Sequence, residues 1–358
     1  VIMADGSVKM VQDVEVDDEV MGDDSQPRHV LSLGRGTEEM FTVVPIKGEP
    51  FTCNKSHILA LKHRSRESVV SLVNMPLAAF LQLTPAQRTV YKLYHVPVEF
   101  PERPVTLPPY LVGLWLGDGT ATAPDITTPD SEVVEYLEKV AALLDLDLVP
   151  RRKVEGNTNK STTYAFRGKS WRTNWLTLAL RDYGLMPDKF IPYAYKCNSR
   201  DVRLEMLAGL IDSDGWVNRS GYQITQKSER FAQDIAFLAR SLGFQCTVKP
   251  IKGRIATRNF EGDYFCVYIN GDCSIIPVKI ARKQVPPRRQ VKDVLCSGIR
   301  TIIPQGVGEY YGFTLDGNHH FLLGDFTVTH NTYSMIMSLI FHAYRNGKFL
   351  RACIIRDT

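Results

Sequence analysis

The sequence predicts a mainly β domain that is interrupted by an α/β insert, and the insert consists of two similar halves. Strand-like segments rich in Val, Ile and Thr, separated by frequent turn residues, occur before residue 101 and after residue 290. Between them one motif occurs twice, as LVGLWLGDGT at 111–120 and as LAGLIDSDGW at 207–216. A β region on both sides of a repeated α/β region indicates one domain inserted into another.

Two proline-rich segments mark the ends of the insert, PERPVTLPPY at 101–110 and VPPRRQ at 285–290. Proline interrupts both helices and sheets, so both segments are expected to be joints between domains. We therefore predict four regions, namely the first part of the β domain, the insert, the second part of the β domain and a C-terminal flank, at residues 1–100, 101–290, 291–331 and 332–358.

The composition is that of a globular protein with a substantial core. Of the 358 residues, 44% are hydrophobic and 23% are charged, and the net charge is only +4. No apolar run reaches the roughly 18–20 residues that a membrane helix requires, and the first residues, VIMADGSVKM, lack a signal-peptide pattern. Seven cysteines without a C-x-x-C pair argue against a disulfide framework or a zinc ribbon. We expect a cytoplasmic protein with no membrane partner.

The basic residues are unevenly distributed. Residues 249–289 contain nine Lys and Arg against three Asp and Glu, a local net charge of +6. A solvated surface explains such a cluster, and so does a surface that contacts DNA phosphates. The candidate DNA-binding residues in and around it are Lys249, Lys252, Arg254, Arg258, Arg282, Arg288 and Arg289.

Each copy of the repeated motif reads as an apolar helix that ends in Asp-Gly. Gly113 and Gly209 within these helices indicate close helix packing, since glycine is otherwise about 1 kcal/mol worse than alanine in a helix. Asp118 and Asp214 would then lie side by side at two helix C-termini, where negative charge is unfavourable. Bound Mg²⁺ would remove this repulsion because it prefers hard oxygen ligands. A paired-aspartate metal site beside a basic surface suits phosphodiester hydrolysis.

These residues resemble the LAGLIDADG homing endonucleases. LAGLIDSDG differs from the family consensus at one position, and LVGLWLGDG keeps the last Asp and Gly. The resemblance implies a monomeric, pseudo-twofold α/β domain, αββαββα repeated twice, that binds double-stranded DNA and uses Asp118 and Asp214 as Mg²⁺ ligands. It also implies a lysine in each half near the scissile phosphates. DKFIP offers Lys189 and ARKQVPP offers Lys283, although both also fit ordinary surface positions.

Near its end the sequence changes from strand-like alternation to helical periodicity, at Asn331 within HHFLLGDFTVTHNTYSMIMSLIFHAYRNGK. A His-Asn pair stands at this change, and the hydroxyl residue Thr332 follows it. Together with VIMADGSVK, DDEVMG, FTCNKSH, YYGFTL and FLLG, this junction resembles the inteins, in particular those of the vacuolar ATPase type. The resemblance implies a Hint splicing domain that ends at Asn331 and is followed by a host segment, the C-extein.

The residues at the junction suit the chemistry of protein splicing. The Thr332 hydroxyl can accept an acyl group from the upstream flank, and the Asn331 side-chain amide can attack its own backbone carbonyl and break the chain. His330 can polarise that carbonyl, and His319 can act as an acid or a base. Splicing is expected to need no cofactor.

For the upstream junction the same resemblance implies three residues of TCNKSH. His57 is expected to protonate the departing backbone nitrogen, while Asn54 and Ser56 are expected to hydrogen-bond the strained carbonyl. Inteins begin with Cys or Ser, whereas this sequence opens at Val1, in the expected first hairpin. As written, the chain is expected to cleave at Asn331 without completing splicing.

The flank 332–358 reads as a helix, a stop at Gly347 and a buried strand, RACII. This order resembles the part of a P-loop ATPase that follows G-x-x-x-x-G-K-[ST], and IIRDT resembles the large subunit of a viral terminase. In such a host protein Thr332 would coordinate Mg²⁺ with ATP.

Three hypotheses about function follow. The first is an intein that splices itself out of its host and cleaves double-stranded DNA at the uninterrupted host-gene site, in the nucleoid or nucleus. The second is a splicing element whose endonuclease domain is inactive and only binds DNA or is structural. Retention of Asp118 and Asp214 argues against the second hypothesis. The third is a host ATPase fragment with an inert insertion.

Overall fold

The computed structural model describes residues 1–64, 70–151, 161–168, 174–255, 260–287 and 293–331. The chain forms two compact units. The first unit consists of Val1–Tyr94 and the chain from Cys296 onward, and the second consists of His95–Leu295. Within the described ranges, no helix combines the length and the apolar character needed to cross a bilayer.

The secondary structure is given in chain order. Before residue 95 the first unit contains β1 (Glu19–Met21), β2 (Pro27–Pro45), β3 (Phe51–Asn54), β4 (Ile58–Arg64), β5 (Val70–Pro76), α1 (Leu77–Gln82), α2 (Pro85–Arg88) and β6 (Tyr91–Tyr94). The second unit contains α3 (Pro109–Asp118), β7 (Ile126–Thr128), α4 (Ser131–Leu143), β8 (Asp147–Pro150), β9 (Thr162–Arg167), α5 (Trp175–Asp182), α6 (Tyr193–Lys196), α7 (Arg200–Asp214), β10 (Gly215–Asn218), β11 (Gly221–Gln226), α8 (Glu229–Ser241), β12 (Gln245–Ile255) and β13 (Phe260–Asn270). The chain from Cys296 adds β14 (Cys296–Ser297), β15 (Ile299–Leu315), β16 (His320–Leu322) and β17 (Val328–His330).

One sheet of the first unit is organised by the long pairing of β2 with β15. The two strands run antiparallel from Ile299 opposite Pro45 to Leu315 opposite Val30. β1 and β3 also pair with β2, and Val30 and Val43 lie fully buried in this unit. The predicted mainly β character of this region is confirmed, and its backbone hydrogen bonds join segments that are far apart in sequence.

The other sheet of the first unit brings early and late strands side by side, in the order β14-β6-β4-β17-β16, with β5 also pairing with β4. In this sheet His330 on β17 lies opposite Ile58 on β4 and opposite His320 on β16. Side chains directly opposite each other on antiparallel strands share one face of a sheet. The histidines of β16 and β17 are therefore neighbours.

The second unit contains two α/β halves. The first half has the sheet β7-β9-β8, and the second has the sheet β10-β11-β13-β12, against which α8 packs. Both halves depart from the expected αββαββα order. An isolated bridge between Gly119 and Ile126 replaces a strand in the first half, where the loop contains Pro124, which cannot donate a backbone hydrogen bond. The second half ends in single 3₁₀ turns, Cys273–Ile275 and Ala281–Lys283, in place of a final helix.

The two halves of this unit meet where α3 packs against α7. A Cβ atom added at Gly113 would lie 2.4 Å from the Met206 carbonyl oxygen, and one added at Gly209 would lie 2.3 Å from the Tyr110 carbonyl oxygen. The backbones therefore approach too closely for any side chain at either position. This is the packing reason for two glycines in the middle of apolar helices.

We predict that Gly209→Ala lowers the free energy of unfolding of the second unit by about 1–3 kcal/mol, because the added methyl group forces α3 and α7 apart. Denaturant unfolding followed by tryptophan fluorescence measures this, since all four tryptophans of the chain fall within residues 95–295. Ala142→Ser, which adds one atom at an exposed position of α4, is the matched control. Equal stability of the two variants would contradict the close contact.

Candidate functional site

Two carboxylates meet at the C-terminal ends of α3 and α7. Asp118 ends α3 and Asp214 ends α7. A Cβ atom added at Gly117 would lie 3.3 Å from the Asp214 carboxyl carbon, which shows how near the two helix ends are. Burial raises the pKa of Asp118 to about 6, and the negative charge of Asp214 acts in the same direction. The expected juxtaposition of two mutually repelling aspartates is thus present.

A lysine covers the C-terminus of each of these helices. Lys189 Nζ donates hydrogen bonds to the carbonyl oxygens of Gly117 at 3.2 Å and Gly119 at 2.7 Å. Lys283 Nζ donates to the last carbonyl groups of α7, those of Ile211 and Asp212 at 2.8 Å and Ser213 at 3.3 Å. Lys283 is buried, and burial lowers the pKa of both lysines. Positive charge at a helix C-terminus is favourable, so the lysines offset the unfavourable position of the aspartates.

The oxygen donors at this site fit a divalent cation. Asp118 and Asp214 supply two carboxylates, and the raised pKa of Asp118 reflects negative charge that no other cation at the site cancels completely. Among the described residues there is no group of three or more His, Cys, Asp and Glu side chains able to hold a metal. Mg²⁺ is commonly bound by one or two carboxylates, and water and phosphate oxygens complete its coordination shell.

Gln226 is a member of this site that the sequence did not reveal. Its side-chain Nε2 donates a 2.7 Å hydrogen bond to Asp214 Oδ2. Gln226 ends β11, whose partner β10 begins directly after Asp214, so the hairpin returns it to the carboxylate. Position 226 falls in the repeated ITT/ITQ segment after each motif, and that repetition is the signal that could have found it.

The predicted DNA-binding residues have different surroundings. Lys249 is exposed on β12, with its Nζ 5.8 Å from the centre of the Tyr268 ring. Lys252 is paired with Asp263 at 2.6 Å, and Arg282 binds both carboxylate oxygens of Asp130 at 2.7 Å. Arg254 lies on β12, while Arg258, Arg288 and Arg289 lie outside the described residues.

A second candidate site lies in the first unit, where β4, β16 and β17 meet. His330 Nδ1 lies 2.5 Å from the carbonyl oxygen of Asn331. The carbon of this same carbonyl group is the atom that the Asn331 side chain is expected to attack. The backbone N–H of Asn331 donates to the His319 carbonyl oxygen at 3.0 Å, and Asn331 is buried. The centres of the His319 and His330 rings are 5.7 Å apart. Thr332, the predicted acyl acceptor, lies outside the described residues.

Both His57 and His330 are held in an environment that favours the neutral ring. Burial lowers the pKa of His57 to about 4, and His330 acts in the same direction. Burial is also the largest cause of the lowered pKa of His330, opposed by its hydrogen bond with Asn331. His57 Nε2 lies 2.7 Å from the Thr329 hydroxyl. Since the Asn331 carbonyl oxygen can only accept, a neutral His330 carries its hydrogen on Nδ1.

Asn54 and Ser56 share a partner that sequence reasoning missed. Ser56 Oγ donates to Glu38 Oε2 at 2.7 Å, and Asn54 Nδ2 donates to the same oxygen at 3.0 Å and to Ser56 Oγ at 3.0 Å. Glu38 reaches them because β2 pairs with β3, with Met40 opposite Asn54. No local sequence signal connects Glu38 to TCNKSH, because the contact depends on strand register.

Two regions of the chain match known protein families. Residues 1–76 match the family described as Hom_end-associated Hint, and residues 201–273 match the family described as LAGLIDADG-like domain. The chain therefore combines a Hint region with a LAGLIDADG-like region, which confirms these two parts of the sequence prediction.

Several curated proteins are similar to parts of this chain. The replicative DNA helicase DnaB of Mycobacterium intracellulare is 33% identical over 160 residues, which cover 44% of this chain and 23% of the helicase. The homothallic switching endonuclease of Saccharomyces cerevisiae is 29% identical over 252 residues, 60% of this chain and 42% of the endonuclease. The catalytic subunit of the V-type proton ATPase of Candida tropicalis is 40% identical over 72 residues, 17% of this chain and 7% of the ATPase chain. The chain spans less than half the length of each of these relatives.

Solved structures of the homing endonuclease I-DmoI also match. A mesophilic variant matches with a TM-score of 0.32 at 11% identity, over 45% of this chain and 87% of that one. I-DmoI in complex with DNA and Mn matches with a TM-score of 0.31 at 13% identity, over 45% of this chain and 88% of that one. Scores this low add nothing to the family matches.

We predict that Asp118→Asn raises the melting temperature of the metal-free second unit at pH 7 by about 2–4 °C. The native pKa of about 6 lies above the ordinary value, so protonated Asp118 contributes stability below about pH 4, and this contribution is lost as the pH rises through 6. Mg²⁺ is expected to raise the melting temperature of the parent chain and not that of the variant.

The measurement is tryptophan-detected melting at pH 5 and pH 7, with EDTA or with Mg²⁺. Asp182→Asn is the matched control, because Asp182 is an exposed aspartate at the C-terminus of α5. A parent chain that responds to neither pH nor Mg²⁺, or a control that shifts like Asp118→Asn, would contradict the paired-carboxylate site.

Proposed function

We propose that the first unit is a self-processing intein domain that breaks the peptide bond after Asn331 and, with both flanks present, joins them through Thr332. The observation that carries this proposal is the 2.5 Å contact between His330 Nδ1 and the Asn331 carbonyl oxygen. That contact lies in a sheet in which β4 and β5 belong to the Hint-matched residues 1–76.

The chemistry at Asn331 needs an electrophilic carbonyl and a route for one proton. The Asn331 side-chain nitrogen bonds to its own backbone carbonyl carbon, the bond to the Thr332 nitrogen breaks, and a succinimide forms. The attacking nitrogen loses one proton and the departing amine gains one, so the protons balance. The His330 Nδ1–H donates to the carbonyl oxygen and stabilises the negative charge that develops on it. His319 is the proposed acid or base for the proton transfer.

At the upstream junction we assign His57 to protonation of the departing nitrogen. Its low pKa keeps the ring neutral at pH 7, so it can take a proton and release it within one reaction. Asn54 and Ser56 are the proposed donors to the strained carbonyl. Their shared acceptor Glu38 fixes both side chains, and the scissile carbonyl would compete with Glu38 for the Asn54 amide hydrogens.

For the second unit we propose site-specific hydrolysis of double-stranded DNA. The observation that carries this proposal is the pair of aspartates at two adjoining helix ends, each flanked by a lysine on the carbonyl groups of the same helix end. Mg²⁺ held by Asp118 and Asp214 would supply an activated water and charge stabilisation. Lys189 and Lys283 would face phosphate oxygens, and Lys249, Lys252, Arg254, Arg258, Arg282, Arg288 and Arg289 would contact the DNA backbone.

The substrate and partners follow from these two activities. We propose that the DNA target is the host-gene sequence without the insert, that the protein acts as a monomer on nucleoid or nuclear DNA, and that residues 332–358 begin the downstream host protein. The proposal that this host is a terminase-type ATPase rests on the sequence of residues 332–358. The alternative for the second unit is an endonuclease domain that binds DNA without cutting it.

We predict that the parent chain releases the segment beginning at Thr332 and that Asn331→Ala abolishes this release, because the attacking amide is removed. His330→Ala is expected to slow release roughly 10²-fold. Mass spectrometry of the products measures both effects. Asn218→Ala, an exposed asparagine of β10, is the control and should cleave at the parent rate. Release from Asn331→Ala at the parent rate would refute the assignment.

We predict that Asp118→Asn and Asp214→Asn each lower the rate of Mg²⁺-dependent cleavage of duplex host-gene DNA lacking the insert roughly 10²- to 10³-fold. Lys283→Met should also slow cleavage, because the helix end loses its cation. Asp182→Asn is the control for a carboxylate at another helix C-terminus and should cut normally. Binding of this duplex without cleavage by the parent, with every divalent metal tested, would favour the inactive-domain alternative.

A further inference from the structure

His320 on β16 is a buried histidine of the first unit that the proposed mechanism does not use. Its Nδ1 lies 3.0 Å from Asp23 Oδ2, and its Nε2 lies 3.0 Å from Asn74 Oδ1. Both ring nitrogens therefore face acceptor oxygens, and only the imidazolium form has a hydrogen to donate from each nitrogen. The side chain of His320 is 8% exposed and that of Asp23 is 14% exposed, so the contact between them is shielded from water.

A hydrogen-bond network that includes the exposed Asn318 holds Asp23 and His320 in place. The other carboxylate oxygen of Asp23 accepts from Asn318 Nδ2 at 2.8 Å. Asn318 Oδ1 in turn accepts from the backbone N–H of His320 at 3.1 Å and from the guanidinium of Arg28 at 3.2 Å. The Asp23 carboxylate is thus fixed from two sides, which leaves the His320 ring one orientation between Asp23 and Asn74.

His320 lies directly across the sheet from His330. The two residues are opposite each other in the pairing of β16 with β17, and their ring centres are 5.4 Å apart with the planes at 77°. A cation at this distance makes a second positive charge on His330 unfavourable, especially in a buried site. A neutral His330 donates from Nδ1 to the Asn331 carbonyl oxygen and keeps a lone pair on Nε2, whereas a protonated ring keeps none.

We propose that His320 is a positioning residue for cleavage at Asn331. Its positive charge, fixed by Asp23 and Asn74, keeps the His330 ring neutral and oriented with Nδ1–H on the Asn331 carbonyl. This inference rests on the proposed cleavage at Asn331, and it assigns His320, Asp23 and Asn74 a part in that reaction.

The groups around His320 determine the expected pH effect. Asp23 and Asn74 face its ring nitrogens. The rings of His330 and His319 lie nearby, on β17 and in the turn before β16. Arg28 donates to Asn318, which contacts Asp23, and the negative charge of Asp23 also raises the pKa of the buried Tyr94 hydroxyl after burial itself. Removing the positive charge of His320 removes a cause that lowers the pKa of His330. The pKa of His330 should therefore rise, and cleavage that requires neutral His330 should fail at a higher pH than in the parent.

The test is a ¹⁵N-histidine NMR titration in the non-cleaving Asn331→Ala chain. The expected result is a His320 ring that carries hydrogens on both nitrogens at pH 7 and a His330 ring that does not. His320→Gln should raise the pKa of His330 by about one unit, and Asp23→Asn should shift it in the same direction. His29→Gln is the control. His29 is exposed in the same unit, with Nδ1 3.6 Å from Glu19 Oε1, and its replacement should leave His330 unchanged.

Cleavage by chains that retain Asn331 provides the second readout. His320→Gln is expected to cut up to about ten times more slowly than the parent at pH values below the pKa of His330, and nearly as fast near pH 8. A loss of folding alone would slow cleavage at every pH. A neutral His320 at pH 7 in the parent would overturn the proposal even if the variants do not fold. An unchanged pKa of His330 in folded His320→Gln would overturn it as well. If the parent does not cleave at all, the proposed function fails, and the NMR titration still decides whether His320 controls His330.

Discussion

Where α3 and α7 cross, neither backbone leaves room for a side chain at Gly113 or Gly209, and this contact fixes how near the two helix ends can be. This contact forces Asp118 and Asp214 together, and burial, followed by their repulsion, raises the pKa of Asp118. The two lysines on the carbonyl groups of these helix ends supply the nearest opposite charge. The geometry of the site therefore depends on one backbone contact. The glycines allow the two helices to pack closely, and both helices end in an aspartate, so the two carboxylates lie close together.

In the first unit the corresponding constraint is the register of β-strands. Asn331 directly follows β17, which pairs with β4 on one side and with β16 on the other. The position of Asn331 therefore depends on strands that are distant in sequence. Because the site is enclosed, burial lowers the pKa of His57 and of His330, so these two rings favour the neutral form. The positive charge proposed for His320 would be compensated by Asp23. Burial, and the proposed charge of His320, would thus both favour the neutral form of His330, whose ring contacts the Asn331 carbonyl oxygen.

Periodicity and short motifs in the sequence were sufficient to predict the features that depend on local patterns. The two Gly-containing helices, the paired aspartates and the mainly β character of the first unit follow from patterns within about ten residues, and the family matches support the Hint and LAGLIDADG regions. The missed residues depend on contacts between distant segments. Glu38 meets Asn54 through the register of β2 and β3, and Gln226 meets Asp214 through a hairpin. Lys283 is a surface residue by composition and becomes buried because three carbonyl groups of α7 accept its hydrogens.

The pairing of β2 with β15 also determines when the proposed cleavage can begin during synthesis. Residues 27–45 are made before the second unit, and their partner strand, 299–315, follows only after it. Contacts over such sequence distances form slowly, whereas residues 95–295 contain their own core and can fold while translation continues. β17 is made last of all the described strands, so the sheet around Asn331 closes only at the end. A nascent chain consequently has no assembled centre for the proposed cleavage until translation has passed the bond after Asn331.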